Sequence, residues 1–255
     1  MRCHRIGLWL FTERSRARRR SLGREVHLNA IRRGGLRLDG IWGEHYAKGF
    51  NLATRATDLS ASYDLVLISV KAYDTEAMAR NVLALVHRDG LVVSLQNGLG
   101  NIETLASLFG PERSLAANVL VGALIPALGR VTVTVQAAPV IVGPLEISDC
   151  VMMETIHRWI RAFKKAHIPC EATVRILSYL WAKVFYNAPL NALGALLQVH
   201  YGVLGDEPEL RRIMDQIIDE SFVVAERKGV EVLWNHVDDY RSFFIMIWFR
   251  PPTII

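Results

Sequence analysis

Cysteine is scarce in this chain. Cys3, Cys150 and Cys170 are too few and too scattered for a disulfide framework, and no Cys-x-x-Cys pair suggests zinc or redox work. They read as reduced thiols in a cytoplasmic compartment. No uninterrupted apolar run reaches the roughly 18 to 20 residues needed to span a bilayer. The richest stretch, residues 184–199, is broken by Asn187, Pro189, Asn191 and Gln198, so no membrane partner is expected. His-Glu-x-x-His, Gly-x-Ser-x-Gly and Gly-Lys-Ser/Thr are absent, which removes the usual support for metalloprotease, hydrolase and nucleotide triphosphatase readings. The histidines have no ligand spacing, and no metal is expected.

Acidic residues are scarce at one end only. Residues 1–37 hold eleven Arg against Glu13 and Glu25, which leaves −4 for the remainder of a chain whose total is +5. Such a segment suits a targeting peptide or an anionic surface. No aromatic interleaving or zinc spacing accompanies the arginines, so a poorly packed terminus is the simpler reading and no nucleic-acid partner is expected. With 51% hydrophobic and 22% charged residues, the 255-residue chain can build one large core or two smaller domains.

Periodicity supplies the architecture. The continuous apolar run Tyr63-Asp-Leu-Val-Leu-Ile-Ser-Val70 predicts a strand buried on both faces of a parallel sheet. Asp74 or Thr75 is placed to cap a helix over residues 76–86. Strands are expected at 91–95 and 114–121, with a helix over 101–109 between them. This βαβ succession folds into a parallel sheet whose strand ends form the default crevice for a ligand. The β-rich stretches 130–135 and 140–143 are expected to pair or to extend the sheet. A helix is expected over 148–165. From residue 176 onward helices are expected over 177–198, 207–228 and 232–249, the last ended by Pro251-Pro252. The division is residues 1–172 and 173–255.

One helix carries an unusual polar stripe. Lys183, Asn187 and Asn191 follow at i+4 in a mostly apolar setting and share one face. A buried amide or ammonium is costly unless paired, so the row suits a small, oxygen-rich anion: Lys supplies charge, and the carboxamides orient carbonyl and hydroxyl groups. Alternatively the amides tie helices together while Lys183 snorkels outward. Pro189 lacks the amide for residue 185 and is expected to bend the helix. A second feature is the pair of strand ends, Lys71 after Val70 and Asn97-Gly98 after Leu95. Gly98 and Gly100 allow close backbone approach to a ring or phosphate, and an ordinary turn needs them as much.

In combination, Ile68-Ser-Val-Lys-Ala-Tyr73, Leu95-Gln-Asn-Gly-Leu-Gly-Asn101 and Lys183-x-x-x-Asn187-x-x-x-Asn191 resemble the 2-dehydropantoate 2-reductase (ketopantoate reductase) family. The segment from Gly23 to Asp39 is similar to the region after that family's second strand, and the resemblance covers about residues 22–255. It implies an NADPH-binding Rossmann domain joined to an all-helical domain, which reduces the 2-keto acid 2-dehydropantoate to (R)-pantoate in pantothenate and coenzyme A biosynthesis. By the same resemblance Lys183 matches the catalytic lysine, and Asn187 and Asn191 match substrate-orienting residues. Asn97 and Lys71 match residues near nicotinamide and substrate, and Arg24 matches an arginine facing the adenosine 2′-phosphate of NADP.

Two departures accompany the match. Gly7 is the sole glycine before Gly23, where the family has Gly-x-Gly-x-x-Gly on its first strand to hold pyrophosphate. The chain also stops at Pro251-Pro-Thr-Ile-Ile255, where the family continues into a serine and an acidic residue. The fold class is therefore α/β: an incomplete Rossmann-like parallel-sheet domain followed by an all-helical domain that reads as truncated. A noncatalytic or impaired remnant, or a reductase of another branched 2-keto acid, stands as the alternative. Apolar helix faces of the second domain, residues 243–249 among them, can also pair into a homodimer.

Overall fold

The computed structural model describes residues 20–59, 62–146 and 150–249. The arginine-rich stretch through Arg19, the expected helix start at Ser148 and the Pro251-Pro252 stop lie outside these residues. The chain divides into two compact units between Val174 and Arg175. Among the described residues no helix is long and apolar enough to cross a membrane.

The first unit alternates strands and helices. Its elements are β1 (Arg20–Leu22), α1 (Glu25–Gly34), β2 (Leu36–Gly40), β3 (His45–Ala47), β4 (Asn51–Ala53), β5 (Tyr63–Ile68), α2 (Thr75–Val82), β6 (Val86–Ser94), α3 (Asn101–Phe109), β7 (Ser114–Asn118), β8 (Val121–Ala127), β9 (Arg130–Gln136), β10 (Val140–Pro144), α4 (Cys150–Lys165) and β11 (Cys170–Ala172). The main sheet runs β11-β10-β7-β6-β5, with β5, β6 and β7 parallel and β10 antiparallel to β7. This is the Rossmann-like sheet, and both its faces are covered. Leu91, Val93, Leu115 and Val142 pack against Met152, Ile156 and Ile160 of α4. Ile68 and Val92 pack against Ala79 and Val82 of α2 and Leu105 and Phe109 of α3. Consecutive residues point to opposite faces, so a strand covered on both sides is apolar without alternation.

The stretches expected to pair or extend one sheet go separate ways. β10 joins the main sheet, whereas β9 lies in a second sheet of order β3-β2-β9-β8, parallel to β2 and antiparallel to β8. Gly40 permits that pairing, because a Cβ there, at φ +95°, would lie 2.0 Å from the Val133 carbonyl oxygen. A third, two-stranded sheet holds β1 parallel to β4. Asp39 ties β2 to β9 by accepting from Arg130 Nε at 2.8 Å and from Thr132 Oγ1 at 2.5 Å, and these contacts hold its carboxyl below the usual range.

The second unit is helical: α5 (Ile176–Leu197), α6 (Tyr201–Asp206), α7 (Pro208–Arg227) and α8 (Val237–Trp248). α6 was not expected from the sequence, and α8 begins five residues later than the predicted 232. Residues before it instead bring Trp234 edge-on to Tyr240, with ring centroids 4.7 Å apart. The core centres on Phe185 of α5, fully buried, stacked on Phe222 at 4.1 Å and edge-on to Tyr240 at 5.3 Å. Such aromatic pairs contribute about 0.5–1.5 kcal/mol each beyond the area they bury.

Candidate functional site

Two groups of side chains, one in each unit, carry the chemistry. In the first unit β5 and β6 run parallel with Ile68 opposite Ser94, so Lys71 and Asn97 each follow their strand's register partner by three residues. Both leave the carboxyl end of the sheet, and both are exposed. Lys71 precedes a 3-10 turn, Ala72–Asp74, that leads into α2. Asn97 opens the turn into α3, where Gly98 has φ +91° and Gly100 φ +85° with open space around each. These glycines are required by the backbone conformation, which a side chain would strain.

A buried polar network joins the two loops, and sequence reasoning did not single it out. Gln96, 4% exposed, donates from Nε2 to Thr75 Oγ1 at 2.7 Å and to the carbonyls of Val70 at 3.0 Å and Lys71 at 3.3 Å. Its Oε1 accepts from Ser94 Oγ at 3.0 Å. Thr75 Oγ1 stands 2.7 Å from the Ala72 carbonyl and 2.9 Å from Asn101 Oδ1, and its single proton serves one of them at a time. Asn101 Nδ2 then donates to the Asn97 carbonyl at 3.1 Å. Neither Asp74 nor Thr75 caps α2 through its side chain, contrary to expectation. The Thr75 hydroxyl is turned inward to this network. The available signal was Gln96 itself, a polar side chain directly after the mostly apolar run 91–95.

Arg24 stands at the carboxyl end of β1, exposed, as the residue before α1, and its carbonyl accepts from the amides of His27 and Leu28. The structure thus sets Arg24, Lys71 and Asn97 each at the carboxyl end of a parallel strand.

In the second unit α5 runs unbroken through Pro189, and the polar stripe grades along it. Lys183 is 9% exposed, Asn187 is half-buried and Asn191 is exposed. The lysine is thus buried as a residue, while the two carboxamides are progressively more open. Asn191 Nδ2 donates to Asn187 Oδ1 at 3.2 Å, and Tyr201 at the start of α6 donates to Asn191 Oδ1 at 2.5 Å. Tyr201 lies in the helix that the sequence did not reveal, and no local pattern marked it. Burial, reinforced by Tyr201, raises the Tyr186 hydroxyl pKa, so Tyr186 stays neutral at ordinary pH. A buried lysine on the same helix face as oriented carboxamides can bind an anion and stabilise charge developing on an oxygen.

The family model described as ketopantoate reductase PanE/ApbA matches residues 7–146, and the one for the ketopantoate reductase PanE/ApbA C terminal matches 175–246. The 2-dehydropantoate 2-reductase of Aquifex aeolicus is 32% identical over 219 residues, 86% of this chain and 69% of that protein. That of Pyrococcus horikoshii is 29% identical over 213 residues, 82% and 66%. The chain thus spans about two thirds of the length of these relatives. The crystal structure of 2-dehydropantoate 2-reductase from Geobacter metallireducens superposes with a TM-score of 0.79 at 27% identity, covering 90% of this chain and 75% of that one.

Proposed function

Because the chain belongs to the ketopantoate reductase family, we propose that it reduces 2-dehydropantoate to (R)-pantoate with NADPH, the step that supplies pantoate for pantothenate. The observation that carries this reading is Lys183, a buried lysine on α5 followed at i+4 and i+8 by two carboxamides.

In the proposed reaction Lys183 donates a hydrogen bond to the 2-keto oxygen. As negative charge grows there, the ammonium stabilises it and transfers a proton to give the alcohol. Fixed charge aimed at a developing oxyanion is among the largest catalytic contributions. Asn187 and Asn191 orient the carboxylate and hydroxyl of the acid, so that little motion is lost at the moment of reaction. NADPH, when bound, supplies the hydride. The open space at Gly98 and Gly100 beside the carboxyl ends of β5 and β6 fits the nicotinamide half of such a cofactor. Lys71 and Asn97 would hold that half. Arg24 favours a 2′-phosphate and hence NADPH, because an exposed guanidinium offers bidentate donors to phosphate.

Phe243, Met246 and Ile247 recur at helical spacing on α8 and are 37%, 50% and 49% exposed, which makes that face the one for a homodimer. Reduced thiols accord with a cytoplasmic enzyme. Fluorescence titration with NADPH, followed by oxidation of NADPH on adding 2-dehydropantoate, tests the function. Saturable binding with turnover supports it, whereas a folded sample that binds no NADPH refutes it. Light scattering tests the dimer.

A further inference from the structure

We propose that Tyr201 is a positioning residue that sets the hydrogen-bonding polarity of the Asn187–Asn191 pair. It leaves Asn187 to present N–H to the ligand, so the group facing Asn187 is an oxygen acceptor, a carboxylate or keto oxygen. The identity of the ligand rests on the reductase reading, but the relay does not.

A carboxamide has one accepting and one donating end, and a phenol has a single proton. Once Tyr201 donates to Asn191 Oδ1 at 2.5 Å, Asn191 is left to donate through Nδ2, which it does to Asn187 Oδ1 at 3.2 Å. With its oxygen engaged, Asn187 has Nδ2 remaining, and that nitrogen donates to no described side chain or backbone group. Asn187 is half-buried, so a ligand can reach it. The next polar residue one turn earlier is Lys183, another donor. Neighbouring donors of this kind suit the oxygens of a 2-keto acid and disfavour a ligand that offers a hydroxyl proton at the Asn187 position.

The origin of the relay is held in place by packing. The Tyr201 ring lies edge-on to Trp248 with centroids 5.9 Å apart, and Trp248 in turn packs on Tyr186 at 5.2 Å. On the α5 side the ring passes close to Gly194, where a Cβ would stand 3.2 Å from Tyr201 Cε1. The glycine lets the ring lie near the helix with its hydroxyl in reach of Asn191.

Tyr201→Phe keeps the ring and removes one oxygen. In the full chain labelled with 15N-asparagine, the side-chain amide signals of both Asn191 and Asn187 move, while that of Asn29, in the other unit, does not. The KM for 2-dehydropantoate rises about tenfold, as expected for one lost, well-oriented hydrogen bond, while kcat and NADPH affinity stay within about twofold. Asn191→Leu, which cuts the relay in the middle, moves the Asn187 signal in the same way. An Asn187 signal unchanged in both variants overturns the relay. A moved signal with kcat reduced and KM unchanged overturns the positioning role. A wild-type chain that turns over no 2-keto acid refutes the reductase reading alone, and the Asn187 signal then decides the relay by itself.

Discussion

Gln96→Met tests whether the buried network joins the two loops that carry Lys71 and Asn97. The substitution keeps the length of the side chain but removes both ends of its carboxamide. Three good hydrogen bonds disappear, to the Val70 carbonyl at 3.0 Å, to Thr75 Oγ1 at 2.7 Å and from Ser94 Oγ at 3.0 Å. The longer contact to Lys71 at 3.3 Å contributes little, because Lys71 is exposed and water can replace it. At about 1 kcal/mol net for each of three bonds the loss is about 3 kcal/mol, reduced by about 1 kcal/mol for the apolar surface that methionine buries. Thr75 retains its bond to the Ala72 carbonyl, so it adds no unpaired group. The expected destabilisation of the first unit is thus about 2 kcal/mol, or about a thirtyfold larger opening constant. Native-state hydrogen exchange reads this at the Leu95 amide, which is bonded to the Ile68 carbonyl at 2.8 Å, with amides of α7 as the internal control. Acceleration of less than about threefold at Leu95 would mean that the network stores little energy and does not fix the loops. Equal acceleration in α7 would refute a local effect.

Lys183→Ala is expected to lower kcat by about 10²–10³ while NADPH affinity changes by less than about twofold, with Lys183→Met as the control for lost volume. Stopped-flow turnover and fluorescence titration check it, and comparable losses in both would remove Lys183 from the chemical step. Burial pushes the Cys170 thiol up to about 11, so in a chain with Cys3 and Cys150 replaced by Ser it stays unlabelled by a thiol reagent at pH 8 until the first unit unfolds. Rapid labelling of the folded chain would contradict that burial. Asp215 has its carboxyl raised chiefly by burial, with Arg241 opposing and Asp219 reinforcing the shift. A raised folded value means that ionisation destabilises the fold as pH climbs above the ordinary carboxylate range. Asp215→Asn therefore stabilises the chain at pH 7, and the gain vanishes near pH 3, where both states are protonated. Denaturation at the two pH values measures it, and a gain that persists in acid would refute the titration argument.

What could be read from the sequence was whatever is written locally. α3 was legible at both ends because glycine punctuates it: Gly100 in the left-handed region before Asn101, and Gly110 at φ +91° after Phe109. β5 and the second half of β6, residues 91–94, were legible because a strand covered on both faces leaves an apolar run. By contrast, α2 ends at Val82 and β6 already begins at Val86, where a helix was expected to continue. The i+4 stripe on α5 was legible because helical spacing alone places three residues on one face. The pairing of β9 with β2 was not, since no local pattern says which of several β-rich stretches will meet. α6 was missed because six residues with two glycines carry too little periodicity to stand out. The polar networks are the most instructive failure. Gln96 reaches Thr75 across 21 residues and Val70 across 26, and Tyr201 reaches Asn191 across ten. Each bond depends on one donor meeting one acceptor after two elements have packed, and hydrophobic pattern is blind to it. A sequence can therefore display which side chains face a crevice while hiding what orients them. At the sheet Gln96 ties the backbone of one loop to the other, and at the stripe Tyr201 holds the exposed Asn191 carboxamide in a single direction. Preorganisation of this kind separates a site that merely contains the right groups from one that directs them at a developing charge.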